Sequence, residues 1–405
     1  MTPPPFDLEA LAGISESVQR FAQREIAPHV SQWDDAGEFP RALYRQAAEL
    51  GLLALGYPEA LGGTPASWRL RNAMTLALCR YGGSGGVLAS LFSHNIGLPP
   101  VLHHGTGALQ QAVIPAVLRG EKIAALAITE PGGGSDVAAL RTTARRDGAD
   151  YVLDGEKVFI TSGMRADYIT VAVRTGEIEP PRFAAPQGGV GALGRPGGAK
   201  GAGGISMILV PGNSPGLSRS ALQKMGWWCS DTAHLRFDGV RVPASHLLGE
   251  EGGGFKIIMG NFNGERLAMS AGALGFAQAC YDEALDWARQ RKTFGSLLTD
   301  KQVIRHKLVD MQMRIASTQA WVEALADRAD AGDQGAEWVA QVCMLKNHAT
   351  QTMQFCADQA VQILGGMGFM RGTKSERIYR EVKVMMIGGG AEEIMKDLAA
   401  RQLGL

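Results

Sequence analysis

The chain has 405 residues, 45% of them hydrophobic and 20% charged, which is the composition of a soluble globular protein with two or three domains. Forty basic residues balance forty acidic ones, and this excludes the strongly basic surface typical of proteins that bind nucleic acid or anionic membranes. The five cysteines never form a C-x-x-C pair, so we expect a reducing compartment, with neither a disulfide framework nor a metal site.

The first 120 residues predict an N-terminal helical domain. Apolar residues there recur at the spacing of amphipathic helices, and glycines follow several of the segments. The helical segments cover residues 11–21, 42–50, 71–81 and 110–119.

Residues 121–247 predict a small antiparallel sheet domain or barrel, because short runs with β-forming residues replace the helical spacing. The runs are 123–128, 151–153, 157–160, 168–173, 205–210 and 234–237. Asp-Gly pairs at 147–148, 154–155 and 238–239 predict turns. The Gly/Pro/Ala-rich stretch 176–204 predicts a mobile insertion between two strands.

Residues 248–405 predict a C-terminal helical bundle. One long helix carries apolar residues from Ile304 to Leu325, is expected to begin at Thr299 or Asp300, and ends near Gly332. The next runs from Val342 to Ile363 and stops at residues 365–366, and a short connection makes the two antiparallel neighbours. The fold class is therefore α+β, with helices, then a sheet, then helices.

Glu265 lies on an apolar stripe of a predicted helix. The stripe contains Phe255, Ile258, Phe262, Met269 and Phe276. A carboxylate buried on such a face is costly unless it is paired, protonated or used in chemistry. A structural ion pair with a lysine or arginine is the commoner outcome, and a functional carboxylate is the alternative.

Four further motifs could carry chemistry, and each has a structural reading as well. Thr129–Asp136 contains three consecutive glycines that could let backbone N–H groups approach a phosphate, or could form only a flexible turn. It matches neither the Walker nor the Rossmann pattern. In Lys157–Gly163, Phe159 and Thr161 are expected on one face of a strand, where they could contact a flat ring or simply pack in the core.

The other two motifs lie at predicted helix ends. Arg289–Gly295 places cations in a last turn, where they complement the helix dipole or bind a phosphate. Glycines in Gln362–Phe369 cap a helix and expose its backbone.

Taken in order, and with Pro58–Gly63, Ser230–Thr232 and Gly388–Ile394, these motifs resemble the acyl-CoA dehydrogenase family over residues 8–404. The resemblance implies an N-terminal α-domain (1–120), a middle β-domain (121–247) and a C-terminal four-helix bundle (248–405). It also implies a homotetramer built as a dimer of dimers, with FAD as cofactor.

The resemblance assigns FAD contacts residue by residue. Phe159 would lie by the flavin ring, where many relatives have Trp, and Thr161 would donate toward flavin N5. Arg291, Phe294, Gln362 and Gly366 would hold the FAD of the neighbouring subunit. The full set implied is Thr129, Gly134, Ser135, Phe159, Thr161, Arg291, Phe294, Gln302, Gln362, Gly365, Gly366 and Glu393.

The catalytic base is expected at an unusual place. Most relatives carry it as Glu in a Tyr-Glu-Gly-Thr segment, but this chain has glycine at that position, Gly389. The isovaleryl and long-chain types carry Glu-Arg-Leu on the helix before Arg-Lys-Thr-Phe-Gly, as in Glu265–Leu267 here. The resemblance therefore implies Glu265 as base, with Gly389 N–H polarising the thioester carbonyl. Ser135, Asn263 and Arg266 are expected to contact substrate.

Two positions depart further from the family pattern: Ala391 stands where Thr is usual, and Trp228 where Arg is common. The expected reaction is FAD-dependent α,β-dehydrogenation of an acyl-CoA in fatty-acid β-oxidation, with electrons passed to an electron-transfer flavoprotein. The alternatives are the same chemistry on an acyl or aminoacyl group held by a carrier protein, and a flavin-binding monooxygenase or binding protein. No apolar stretch reaches the roughly 18 residues of a membrane span, and no leader peptide is evident, so we expect a cytoplasmic protein.

Overall fold

The computed structural model describes residues 8–176 and 203–405, and these divide into two compact units. One, the helical unit, contains described residues up to 92 together with 223–230 and 262–405. The other, the sheet unit, contains described residues of 93–222 and 231–261. Within the described residues, no helix combines the length and the apolar character that a bilayer crossing needs.

Three N-terminal helices of the helical unit match the predicted segments 11–21, 42–50 and 71–81, and two others were not predicted. They are α1 (Leu8–Phe21, continued by a π turn over Ala22–Ile26), α2 (Val30–Ala36), α3 (Ala42–Glu49), α4 (Trp68–Gly82) and α5 (Gly85–Leu91). The Ser67 hydroxyl accepts from Leu70 N–H and so caps α4. Gly83, with φ +63°, ends that helix in the left-handed conformation that glycine adopts most easily.

Within the described residues, the sheet unit contains eight strands and three helices, besides the beginning of a long helix described below. The helices are α6 (His94–Gly97), α7 (Pro99–His104) and α8 (Gly107–Leu118). The strands are β1 (Ala124–Ala127), β2 (Thr143–Asp147), β3 (Asp150–Thr161), β4 (Tyr168–Arg174), β5 (Ile205–Pro211), β6 (Leu217–Ala221), β7 (Thr232–Pro243) and β8 (Leu247–Leu248). Every predicted run overlaps one of these strands, and 151–153 and 157–160 belong to the same one.

The eight strands form an open sheet in the order β6-β7-β3-β2-β4-β5-β8, with β1 beside β4. Most neighbours are antiparallel, but β1 and β2 both pair parallel with β4, so the sheet is mixed and the barrel alternative is wrong. The turn predicted at 147–148 is confirmed. The turns at 154–155 and 238–239 are wrong, because both pairs lie within the paired strands β3 and β7. Most of the predicted insertion 176–204 lies outside the described residues.

The C-terminal helices begin with α9 (Gly254–Gln290), whose first eight residues belong to the sheet unit. A short hairpin of β9 (Lys292–Thr293) and β10 (Ser296–Leu297) follows. The remaining helices are α10 (Gln302–Asp330), α11 (Ala336–Leu364), α12 (Gly366–Phe369), α13 (Lys374–Ile387) and α14 (Glu392–Leu403). In the helical unit, α11 packs against α10, α13 and α14.

The predicted ends of α10 and α11 are confirmed, since Gly332 and Gly365 both take positive φ directly beyond them. The predicted start of α10 is wrong. Lys301 is its N-cap and contributes no side-chain cap, while the Asp300 carboxylate instead accepts from Leu297 N–H in the preceding turn.

The stripe that carries Glu265 is less buried than its spacing predicts. Ile258 and Phe276 are buried, but Phe255, Phe262 and Met269 are only partly so. The fully buried face of α9 in the helical unit instead runs through Leu267, Ala271, Leu274, Phe276 and Ala277. Glu265 therefore lies beside the packed core, on a face that remains partly accessible.

Candidate active site

Glu265 lies on α9, on the partly accessible face described above. Its Oε2 is inaccessible to solvent and has no hydrogen-bond partner. Burial raises the pKa of Glu265 to about 7, while the charges of Arg266 and Lys346 oppose this rise. Among the described residues, no lysine or arginine nitrogen forms an ion pair with this carboxylate.

The α9 turn that carries Glu265 packs closely on α4. A Cβ added at Gly264 would lie 2.9 Å from the Trp68 ring, so a larger residue there would require the ring to shift. The contact holds the backbone immediately before Glu265 against a rigid element.

Gly389 lies beside Glu265, in the turn between α13 and α14. Its φ is +66°, and that of Gly390 is +113°, which other residues adopt at a cost. A Cβ at Gly389 would lie 2.8 Å from Met269 Sδ and 4.0 Å from Glu265 Oε1. Among the described residues, no acceptor takes the Gly389 N–H. The structure thus brings together the two residues predicted as catalytic.

Arg266 links the helix that carries Glu265 to the turn that carries Gly389. Its Nε donates to Gly389 O at 3.0 Å and its Nη1 to Asn263 Oδ1 at 3.2 Å. The guanidinium carbon also lies 5.5 Å from the centre of the Phe262 ring. Arg266 and Asn263, both predicted to contact substrate, therefore bind each other, and Arg266 also binds the glycine turn.

Sequence reasoning missed Lys346, which lies close to this site on α11. The lysine is fully buried, and its Nζ donates to Met386 O at 2.9 Å and to Gly390 O at 2.7 Å. A signal was available, because Lys346 falls on the helical spacing of Val342, Ala349 and Met353. A charged residue on an apolar face is the same signal that identified Glu265.

The glycine loop predicted to bind cofactor lies in the sheet unit, after β1. Residues 131–136 are exposed. The Glu130 carboxylate anchors the loop, since it accepts from Arg141 N–H at 2.6 Å, Thr142 N–H at 2.9 Å and Lys157 Nζ at 2.7 Å. Lys157 also donates to Ile128 O at 2.9 Å. The buried ion pair therefore fixes the loop to strand β3 and leaves Thr129, Gly134 and Ser135 at its accessible side.

Strand β3 carries a β-bulge at Phe159. The pairing register with β7 shifts between Lys157 and Ile160, and Phe159 takes φ +62° with 67% of its surface exposed. Aromatic residues rarely adopt this conformation, and such strain concentrates at functional sites. Phe159 and Thr161 are both accessible, on either side of buried Ile160.

The end of β3 is held by the motif Ser230–Thr232. Asp231 O accepts from Ser162 N–H at 3.0 Å. The Asp231 carboxylate accepts from Met164 N–H at 2.7 Å and from Arg165 Nε at 2.9 Å. Asp231 therefore stabilises the Thr161–Gly163 corner, although it lies far along the chain from it.

The remaining predicted cofactor contacts lie at helix ends of the helical unit. Phe294, in the β9–β10 hairpin, is fully exposed with φ +49°. Gly365 ends α11 with φ +61°, and Gly366 begins α12. Within this set, Gly365 N–H donates to Gln362 O at 3.3 Å at the end of α11. The set comprises Arg291, Phe294, Gln302, Gln362, Gly365, Gly366 and Glu393.

The two departures from the family pattern have structural consequences. Ala391 is the N-cap of α14 and offers no side-chain cap, as expected when the hydroxyl of Thr is missing. The Trp228 ring lies between two cations, with the guanidinium carbons of Arg380 at 3.8 Å and Arg371 at 4.5 Å.

Comparison with known proteins places all three predicted segments in one family. The family models described as the N-terminal, middle and C-terminal domains of acyl-CoA dehydrogenase match residues 9–121, 125–240 and 252–404.

Individual relatives agree with the family models. The rat long-chain specific mitochondrial acyl-CoA dehydrogenase is 36% identical over 390 residues, covering 96% of this chain and 85% of the relative. A solved structure of a putative acyl-CoA dehydrogenase from Mycobacterium smegmatis has a TM-score of 0.89 at 42% identity and covers 97% of both chains. The prolyl acyl carrier protein oxidase AnaB has a TM-score of 0.88 at 25% identity, over 99% of this chain and all of its own. The chain belongs to the acyl-CoA dehydrogenase family, whose members are FAD-dependent oxidoreductases.

Proposed function

We propose that the protein dehydrogenates an acyl-CoA to the trans-2-enoyl-CoA, with Glu265 as the base that removes the α-proton. One observation carries the proposal: a carboxyl whose buried Oε2 has no hydrogen-bond donor lies beside a glycine whose N–H has no acceptor among the described residues. A base and a carbonyl-polarising donor are the two groups that abstraction of a proton next to a thioester requires.

The environment of Glu265 suits it to this role. A carboxyl with a pKa near 7 is partly ionised at neutral pH, yet basic enough to accept a carbon-bound proton. Its unpaired Oε2 makes no hydrogen bond that would have to break first. The proton would move to Glu265 while the electron pair of the broken C–H bond enters the α,β double bond.

Gly389 would stabilise the charge that develops on the thioester oxygen. Its free N–H is a neutral donor held by the surrounding turn, and such preorganised donors contribute most to enolate-type transition states. Ser135, Asn263 and Arg266 are proposed as further contacts with the substrate.

The residues present fit FAD. An exposed glycine loop offers backbone donors for phosphate, and Phe159 presents its ring outward at the cost of backbone strain. When bound, FAD supplies the acceptor for the hydride that leaves the β-carbon. Thr129, Gly134, Ser135, Phe159 and Thr161 would hold it.

A second set of residues would hold the FAD of a neighbouring subunit within a homotetramer. Phe294 supports this, because a fully exposed aromatic ring at positive φ has no evident role in an isolated chain. We propose that Arg291, Gln302, Gln362, Gly365, Gly366 and Glu393 act with it. The reduced cofactor would pass its electrons to an electron-transfer flavoprotein.

Anaerobic bleaching of the flavin tests the proposal. Acyl-CoAs of different length and branching are mixed with wild-type protein, Glu265→Gln and Glu283→Gln. Glu283 is a matched control on the same helix whose carboxylate is fully used by Lys374 N–H, Ser375 N–H and Ser375 Oγ. We expect Glu265→Gln to keep its FAD but to lose rapid reduction, while Glu283→Gln still bleaches. Reduction of Glu265→Gln at the wild-type rate would contradict the assignment of the base.

The likeness to a carrier-protein oxidase supports a second candidate, oxidation of an acyl or aminoacyl group on a carrier protein. The two candidates differ in the group beyond the thioester. Bleaching by carrier-bound thioesters, with none by any acyl-CoA in the panel, would favour the second.

A further inference from the structure

Lys346 is a buried cation without an acidic partner. Its side chain is fully buried on α11, and among the described residues it forms no ion pair within 4.0 Å. Its two hydrogen-bond acceptors, Met386 O and Gly390 O, are neutral carbonyls. Burying an ammonium group is costly when no counter-charge offsets it, so the position calls for a reason other than stability.

The two carbonyls that Lys346 binds lie on either side of the glycine turn. Met386 is in the last turn of α13, where a cation complements the helix dipole. Gly390 lies two residues before α14. One ammonium therefore connects the end of one helix to the start of the next across residues 388–390.

Arg266 fixes the same turn from α9. It donates to Gly389 O at 3.0 Å, next to the carbonyl of Gly390 that Lys346 holds at 2.7 Å. Three consecutive glycines restrict their own backbone very little. The two cations, bound to consecutive carbonyls, thus supply the order that the turn lacks, and they determine where the free Gly389 N–H lies relative to Glu265.

The titratable groups around Lys346 come from three helices. Arg266 and Glu265 face it from α9, Glu392 from α14 and Cys343 from its own helix. Arg266 and Lys346 both favour the ionised form of Glu265. Lys346 therefore acts on the Glu265 carboxyl through its charge. It acts on the Gly389 N–H through its hydrogen bond to the carbonyl of the next residue, Gly390.

We propose that Lys346 is a positioning residue of the proton-abstraction site. It holds the 388–390 turn so that the Gly389 N–H stays beside the Glu265 carboxyl, and its charge stabilises negative charge at that point. The inference rests on the proposed function, in which Glu265 removes the proton and Gly389 polarises the carbonyl.

The test compares Lys346→Met and Lys346→Arg with Lys383→Met in the holoenzyme. Lys383 is a matched control because it lies on α13, three residues from Met386, but is exposed. Removing the Lys346 charge should slow flavin reduction by a saturating acyl-CoA at pH 7 about tenfold or more and move its pH profile upward by about half a unit. Lys346→Arg should restore part of the rate, and Lys383→Met should match wild type.

A second readout separates this inference from the assignment of the base. The probe is 3-oxobutanoyl-CoA, whose α-proton ionises without any oxidation, and it is titrated spectroscopically on Glu265→Gln and on Glu265→Gln/Lys346→Met. We expect the pKa of the bound probe to be higher in the double variant by about half a unit or more, since a charge near the enolate is lost. This outcome would stand even if Glu265→Gln proved fully active and the proposed base were wrong. Equal pKa values of the bound probe, with FAD content retained, would show that Lys346 is only structural. If Lys346→Met does not fold, the same comparison with the neutral variant Glu265→Gln/Lys346→Gln decides the question.

Discussion

Replacement of Glu265 by Gln should stabilise the protein at alkaline pH while it abolishes flavin reduction. Burial raises the pKa of Glu265 from an ordinary 4.5 to about 7, so the folded state holds this proton more tightly than the unfolded state. The contribution of this group to stability is then complete below pH 4.5. It is lost progressively as the pH rises toward 7, because the folded protein must carry a buried carboxylate.

The size of the effect follows from the shift. A pKa raised by about 2.5 units corresponds to about 3 kcal/mol of stability lost by pH 8, at roughly 1.4 kcal/mol per unit. Glutamine carries no charge at any pH and removes this loss. With an unfolding entropy of about 2.1 cal/mol/K per residue, 3 kcal/mol in a chain of 405 residues raises the melting temperature by about 4 °C.

Melting curves of the holoenzyme at pH 5 and pH 8 measure the effect. The difference between Glu265→Gln and wild type should be small at pH 5 and should reach its full size at pH 8. Glu381 is also buried, with a pKa raised to about 7, but it is present in both proteins and cancels in the difference. Glu283→Gln should instead melt lower at both pH values, because the Glu283 carboxylate accepts three hydrogen bonds.

The same measurement distinguishes a catalytic carboxylate from a structural one. A carboxylate in a structural ion pair stabilises the protein when ionised, and its replacement by Gln destabilises the protein most at high pH. A Glu265→Gln protein that melts below wild type at pH 8 would refute the reasoning, whatever its activity.

Three further predictions concern the same molecule. The second-order rate constant of flavin reduction by an acyl-CoA should rise about tenfold per pH unit below pH 7 and level off above it, because Glu265 must be ionised. Stopped-flow rate constants that stay the same from pH 5 to 8 would exclude this base. Lys157→Met should cost about 3–5 kcal/mol in denaturant unfolding, since it leaves Glu130 buried without its partner; Lys157→Met/Glu130→Gln should cost less. Gly389→Ala should lower the free energy of unfolding by about 1–2 kcal/mol because its φ is positive, and it should reduce flavin more slowly. Gly37→Ala is the control: its φ is also positive but the space around it is open, so it should lose stability without loss of rate.

The sequence predicted the long helices and their ends well. An uninterrupted apolar stripe, such as that from Ile304 to Leu325, can be satisfied only by helical packing, and the glycines after α10 and α11 take positive φ as expected. The Asp-Gly turns failed for a nonlocal reason. Gly239 N–H donates to Asp154 Oδ1 at 2.8 Å, so the two pairs satisfy each other across β3 and β7 instead of reversing the chain.

The candidate site also has features that the sequence predicts and features that it does not. Glu265 was visible because a charge interrupts a regular apolar spacing, and Lys346 carried that signal too. Their partners were not visible, since the contacts of Lys346 and Arg266 are backbone carbonyls 40 to 123 residues further along the chain. A carbonyl belongs to every residue, so residue types cannot identify it. The positive φ of Phe159 was equally hidden, because it depends on a register shift against β7.

The geometry also gives a physical reason for the glycine at 389. A side chain there would start 2.8 Å from Met269 Sδ and 4.0 Å from Glu265 Oε1. A glutamate added at 389 would bring a second carboxyl close to that of Glu265, and like charges so close raise each other's pKa until one is protonated. With Glu265 as the proposed base, glycine at 389 avoids this second carboxyl and presents only its backbone there, so the two positions constrain each other physically.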